Sequence, residues 1–264
     1  MMGAVATGLG DAVRSEWAKL RTLPSARYTA LAVVVVGVGI GALFSFAAAR
    51  GYASLPPADK AAFDPAAKGG AGFILAQMAV GLLGVLAVTS EYGSGMIRTS
   101  LTVLPRRGRV LAAKTLVVLA VVLVVGEAVA FASLLAGQAI LAAQQVPYDT
   151  LADPGVLRAT VGAGLNLAAV GVLGVALGAL LRSTAGALAI VFAVTLIVPA
   201  FATVLPASVA TLVADYWPTM VGRQVMTVHP NPHLPGPWTG FAVMCAWDLL
   251  ALAAAFVVFH RREV

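Results

Sequence analysis

Charge and cysteine are what this chain has least of. Only 11% of its 264 residues are Asp, Glu, Lys or Arg, against roughly 25% in soluble domains, and so thin a polar coat excludes a water-soluble globular fold. The single cysteine, Cys245, falls inside an apolar run, so no disulfide framework can form within one chain. There is no Asn-x-Ser/Thr acceptor either, since Asn166 is followed by Leu-Ala and Asn231 by Pro, and glycosylation marks neither side of a membrane. The net charge of +6 does not signal nucleic acid, because the basic residues flank apolar runs and form no stripe with aromatic stacking partners.

What is abundant is hydrocarbon. Hydrophobic residues make up 60% of the chain and its mean hydropathy is +0.95, the composition of an integral membrane protein. Six apolar runs, about 27–49, 71–89, 114–143, 156–181, 185–204 and 239–259, are each long enough as a helix to cross a hydrocarbon core of about 30 Å. The fold expected is therefore all-α, a polytopic membrane protein with six transmembrane helices in a single transmembrane domain over 1–264. The first run, of roughly 23 residues, is too long for the apolar core of a cleaved leader, usually about 7–15, and reads as a span.

The interruptions carry the organisation. Met1–Pro24 places Val13, Trp17 and Leu20 at i, i+4, i+7 with Arg14, Lys19 and Arg21 on other faces, the pattern of a helix lying in a membrane interface. Arg50–Gly70 reads as a polar loop. Leu205–Trp238 mixes a helical ASVATLVADY with a proline-rich HPNPHLPGP that cannot continue a helix, which fits a short external or re-entrant segment. The largest interruption is Ser90–Lys114, with five basic residues (Arg98, Arg106, Arg107, Arg109, Lys114) and an apolar stripe, Ile97, Leu101 and Leu104, at helical spacing.

Sorting the interruptions by side gives twelve basic residues with the termini and Ser90–Lys114, against five (Arg50, Lys60, Lys68, Arg158, Arg223) on the other face. The positive-inside rule then predicts that both termini and Ser90–Lys114 are cytoplasmic. The fourth run is rich in glycine (Gly162, Gly164, Gly171, Gly174, Gly178), which lets helices approach closely within the chain or forms a dimer face.

Few residues point to chemistry. Gly108–Thr115 nearly matches a phosphate loop, but Ala113 replaces the second glycine and no strand precedes it, so nucleotide binding is not expected. Gly8-Leu9-Gly10-Asp11 and Tyr148-Asp149 mimic the pairs of intramembrane aspartyl proteases, yet neither carboxylate falls in a span where the two could share a proton. His229 and His233 have ligand spacing only on a helix that Pro230 and Pro232 forbid; neither a metal nor a cofactor is expected. Glu127 and Asp248 lie inside spans, where an ionised carboxylate costs about 2.5–3.5 kcal/mol. Two readings stand side by side: a translocation path, or structural hydrogen bonds to Gln77, Gln138 or Asn166.

Two sequence blocks carry a family resemblance. Ser15-Glu16-Trp17-Ala18-Lys19-Leu20-Arg21 precedes the first span, and Glu91-Tyr92-Gly93-Ser94-Gly95-Met96-Ile97-Arg98 follows the second. With Pro105-Arg106-Arg107 before the third span and Tyr216-Trp217-Pro218 and Gly222-Arg223-Gln224 before the last, the chain resembles the small six-span actinobacterial type of ABC type-2 transporter permease. The resemblance implies a transport subunit of the cell membrane, an exporter and not itself an enzyme, paired with a second copy or sister permease. ATP hydrolysis would fall to a separate cytoplasmic ABC ATPase subunit. It also implies that the stretch after the second span is the coupling helix, with Glu91, Gly95, Met96 and Arg98 contacting or bracing the ATPase and Ile97, Leu101 and Leu104 meeting lipid or the partner. Two other classes stay open: a membrane anchor or assembly protein that holds a cytoplasmic partner and translocates nothing, and a secondary transporter that runs on an ion gradient without ATP.

Overall fold

The computed structural model describes residues 8–22, 24–93, 96 and 107–261. Among them the structure is all helical, with no strand. In chain order the helices are α1 (Leu9–Thr22), α2 (Pro24–Gly51), α3 (Pro57–Ala61), α4 (Pro65–Gly69), α5 (Phe73–Gly93), α6 (Arg107–Ala143) and α7 (Val156–Leu181). They are followed by α8 (Thr184–Phe192), α9 (Val198–Phe201), α10 (Ala207–Tyr216), α11 (Pro218–Gly222) and α12 (Pro237–Arg261). Six stretches are long and apolar enough to cross a membrane: Arg27–Ser54, Pro65–Gly93, Gly108–Ala143, Val156–Leu181, Thr184–Phe201 and Pro237–Arg261.

The fourth span, α7, is the axis of the bundle. Of its most apolar 18 residues 78% are buried, against 17% for the fifth and for the sixth span, so α7 is sheathed by protein while the outer spans present Val, Leu and Phe outward. The glycines explain how the second span gets so close to it. A Cβ at Gly84 would strike the carbonyl oxygen of Gly171, and one at Gly174 would strike that of Gly81, so only hydrogen lets the two backbones meet. Gly171, Gly174 and Gly178 are buried inside this one chain, which makes the glycine-rich face of the fourth span an internal seam.

Three elements differ from expectation. The third span is already helical at Arg107, ahead of the expected Lys114, and Val110 and Ala113 bury themselves against Ala12 of α1. At 37 residues α6 is about 55 Å long and outruns the hydrocarbon core. Arg50–Gly70 is more ordered than a loop: it holds α3 and α4, the latter capped by the Asp64 carboxylate accepting from the Ala67 amide at 2.9 Å. The fifth span breaks its α-helix into a π turn at Ala193–Ile197.

Proline causes that last departure. The amide of Val198 reaches back to Ala193, one residue further than in an α-helix, and leaves Val194 facing Pro199, which has no N–H to give. The orphaned Val194 carbonyl is taken up from outside the helix. Trp217 Nε1–H donates to it at 2.8 Å and Thr219 Oγ1–H at 2.9 Å. Trp217 and Pro218, read from sequence only as part of an external segment, thus latch that segment onto the fifth span.

Candidate functional site

At the end of the bundle where α1, the C-terminal turn of α5 and the start of α6 meet, four charged side chains close a ring. Lys114 Nζ donates to Glu16 Oε2 at 2.7 Å and to Glu91 Oε1 at 2.6 Å; Lys19 Nζ donates to Glu16 Oε1 at 2.7 Å and to the same Glu91 Oε1 at 2.9 Å. Three members are almost sealed from solvent, Lys114 and Glu91 at 4% exposed and Glu16 at 7%; Lys19 is the half-open one. Each charge therefore touches two of the opposite sign. Removing ions from water is costly and is offset only by geometry of this completeness.

The helical registers bring the ring together. On α1, Ala12, Glu16 and Lys19 share one face, and Ala12 packs on Val110 and Ala113, four and one residues before Lys114 on α6. The exposed Trp17 lies off that face, with Val13 and Leu20 only partly covered, so the sequence's amphipathic stripe remains available to a membrane interface. Glu91 sits near the C-terminal end of α5, two residues before Gly93. Burial works against the Lys19 ammonium, but its hydrogen bonds to Glu16 and Glu91 and their charges outweigh that, and its pKa is raised above the ordinary 10.5.

Beside the ring lies a cavity of ≈ 500 Å³, walled by Leu20, Ala87, Ser90, Val117 and Met96 together with ring members. Met96 is helical and 47% exposed. Of the other residues expected to couple to a partner, Glu91 is thus a buried brace, whereas Gly95, Ile97, Arg98, Leu101 and Leu104 lie outside the described residues. The same end holds Arg182, whose guanidinium lies over the Tyr92 ring at 5.1 Å from its centre. Arg182 closes α7 in the left-handed conformation, φ 53°.

The opposite end is tied by neutral acceptors. Arg158, on the first turn of α7, donates from Nη1 to the Val225 and Gln224 carbonyls at 3.1 and 3.4 Å. Its Nη2 donates to the Thr227 and Val228 carbonyls at 3.0 and 3.2 Å. Sequence reading counted Arg158 only as a charge; its planar fork is the clamp on the 223–228 segment. Asp149 accepts from the Ala66 amide at 3.0 Å and its own amide donates to Gln138 Oε1 at 2.8 Å, joining the 144–155 loop to α4 and α6. Burial is the main cause that pushes the Asp149 carboxyl above its ordinary 3.8.

The two intramembrane carboxyls lie apart from both ends. Glu127 packs its carboxyl on the bare Cα of Gly164, where any Cβ would collide with it, and its Oε2 is buried without a hydrogen bond. Asp248 lies on the bundle-facing stripe of α12 with Gly240, Met244, Ala255 and Phe259. No hydrogen bond joins either carboxyl to Gln77, Gln138 or Asn166: Gln138 serves Asp149, and Asn166 donates to the Met244 sulfur at 3.4 Å. Among the described residues no group of three His, Cys, Asp or Glu could hold a metal ion. His229 instead approaches Asp64, Nδ1 to Oδ2 3.5 Å. Compared with protein-family models and with curated proteins, the chain matches none.

Proposed function

We propose that the chain is the transmembrane permease subunit of an ATP-driven ABC exporter, energised by a separate cytoplasmic ATPase, with both termini and residues 90–114 on the cytoplasmic side. The observation that carries this reading is the four-charge ring. Glu91 and Lys114 stand at the two flanks of the segment 92–113, and the ring binds both flanks to α1. A push delivered to that segment is therefore shared by α1 and by the second and third spans, which is how a rigid-body switch is driven from outside. The apolar length of six spans and the twelve-to-five sorting of basic residues support the same orientation. Exposed apolar faces on the first, fifth and sixth spans leave room for lipid and for a second permease copy.

The test is purification of the full chain from native membranes with its ATPase, followed by transport and ATPase assays. A stoichiometric ATP-binding subunit is expected, with ATP turnover uncoupled by Arg98→Glu while membrane insertion is unchanged. Purification without an ATPase would favour the anchor, and transport driven by an ion gradient alone would make the chain a secondary transporter; either outcome overturns the proposal.

A further inference from the structure

Away from the ring, a second cavity of ≈ 220 Å³ opens at the end of the bundle that Arg158 clamps. It lies between the second, third and fourth spans and beneath the 223–228 segment. Phe73, Ile74, Ala130, Leu134 and Leu167 make its walls apolar, and Asp64 and Arg223 stand at its mouth. Its polar lining within the spans is uncharged: Gln77 from α5, Asn166 and Thr160 from α7.

Those polar groups are under-used. Gln77 is 9% exposed, yet its carboxamide makes no hydrogen bond among the described residues. Asn166 is 4% exposed and spends its amide on the Met244 sulfur, a weak acceptor, leaving its carbonyl oxygen without a donor. Thr160 gives its proton to the Val156 carbonyl at 2.8 Å and keeps lone pairs to accept with. Two carboxamides with polar atoms open to a cavity wall can take a partner from outside the chain.

The chemistry of that partner follows from the walls. Gln77 offers both a donor and an acceptor, and Asn166 an acceptor, so the matching group carries a donor and an acceptor of its own, as an amide or a hydroxyl does. The ionisable residues that line the cavity, Asp64 and Arg223, are partly or fully exposed, so a carboxylate or ammonium carried past them to the buried Gln77 and Asn166 would be desolvated without a counter-charge. The volume is below the roughly 300–1,000 Å³ of ordinary ligand pockets, which fits one short molecule or one end of a longer one. Ile74 lines the cavity and is itself 42% exposed, so the wall it forms reaches the surface of the bundle and an alkyl chain can leave there.

We propose that this cavity binds the uncharged polar end, amide or hydroxyl, of a small amphiphile, gripped by Gln77 and Asn166 with its alkyl chain along the apolar wall. Neither Glu127 nor Asp248 lines it, so the site is separate from the intramembrane carboxyls, and it does not depend on the permease reading.

The experiment is titration of the full chain in lipid nanodiscs with octanamide and with octanoate, read by calorimetry and by ligand-observed NMR. Saturable binding of octanamide, one per chain, is expected, with octanoate at least tenfold weaker. Gln77→Met removes no internal hydrogen bond and keeps the volume, so it folds; it weakens octanamide by about tenfold, the cost of an unmatched polar group in the ligand. Asn166→Leu acts in the same direction. Repeating the titration at several lipid ratios separates the sources: occupancy follows the mole fraction in lipid for entry from the bilayer, or the aqueous concentration for entry from water. Octanamide binding that is unsaturable, equal to that of octanoate, or unchanged in Gln77→Met overturns the proposal.

Discussion

Replacing Lys114 with Met should be the most damaging single change at the charged end. Lys114 is 4% exposed and is bound at 2.7 and 2.6 Å by two carboxylates that are themselves buried. Its loss leaves Glu16 and Glu91 facing each other across a space that water reaches poorly, with only the half-open Lys19 between them. Breaking a buried pair by deleting one partner costs about 3–5 kcal/mol, chiefly the strain of the charge left behind. Lys19→Met removes as many hydrogen bonds but from a more exposed ammonium, and should cost about 1 kcal/mol or less. Equilibrium unfolding in mixed detergent micelles measures both. A second variant, Lys114→Met with Glu16→Gln, removes one charge of each sign and should recover a large part of the loss, which a simple packing defect would not. If Lys114→Met costs under about 1 kcal/mol, or if Glu16→Gln fails to relieve it, the ring is not the brace it is taken to be.

Three further outcomes follow from the geometry. Because the Lys19 pKa is raised on folding, its contribution is fully present below the unfolded value of about 10.5 and is lost as pH rises through the higher folded value; Lys19→Met should flatten the alkaline limb of a stability-against-pH curve. Trp217→Phe and Thr219→Val should each cost little alone, since one donor still satisfies Val194, whereas the pair should cost about 1–3 kcal/mol, a non-additivity that a double-mutant cycle reads directly. Arg158→Met removes one donor from four carbonyls of the 223–228 segment, leaving Gln224 its bonds from Thr227, and hydrogen exchange should speed there while the charged end stays protected.

The spans were legible because hydrocarbon thickness imposes a length that composition alone reveals: all six begin or end within a few residues of their apolar runs. The third ends at Ala143 as its run does but is helical well before Lys114, which looks like a span boundary when seen as a lone charge. Only the presence of Glu16 and Glu91, 98 and 23 residues away, makes it a buried helix residue. The clamping role of Arg158 was hidden for the same reason, since its four acceptors are backbone carbonyls that no sequence pattern displays. The π turn was half visible: Pro199 announces a missing amide, but not that Trp217 and Thr219 would answer for it. Gln77 and Asn166 read as possible partners for Glu127 and Asp248, and packing instead turned both toward a cavity.

The central claim, that a partner's ATP acts through the stretch after the second span, is most directly tested at Met96, which is half exposed beside the ring. With Cys245→Ala removing the native thiol, Met96→Cys provides a single handle for a short photo-activatable cross-linker in native membranes. The account predicts a covalent adduct with an ATP-binding subunit, labelled only from the cytoplasmic side and changed in yield by ATP. Labelling of Met96→Cys from outside, or an adduct pattern without an ATPase at any nucleotide state, would contradict it.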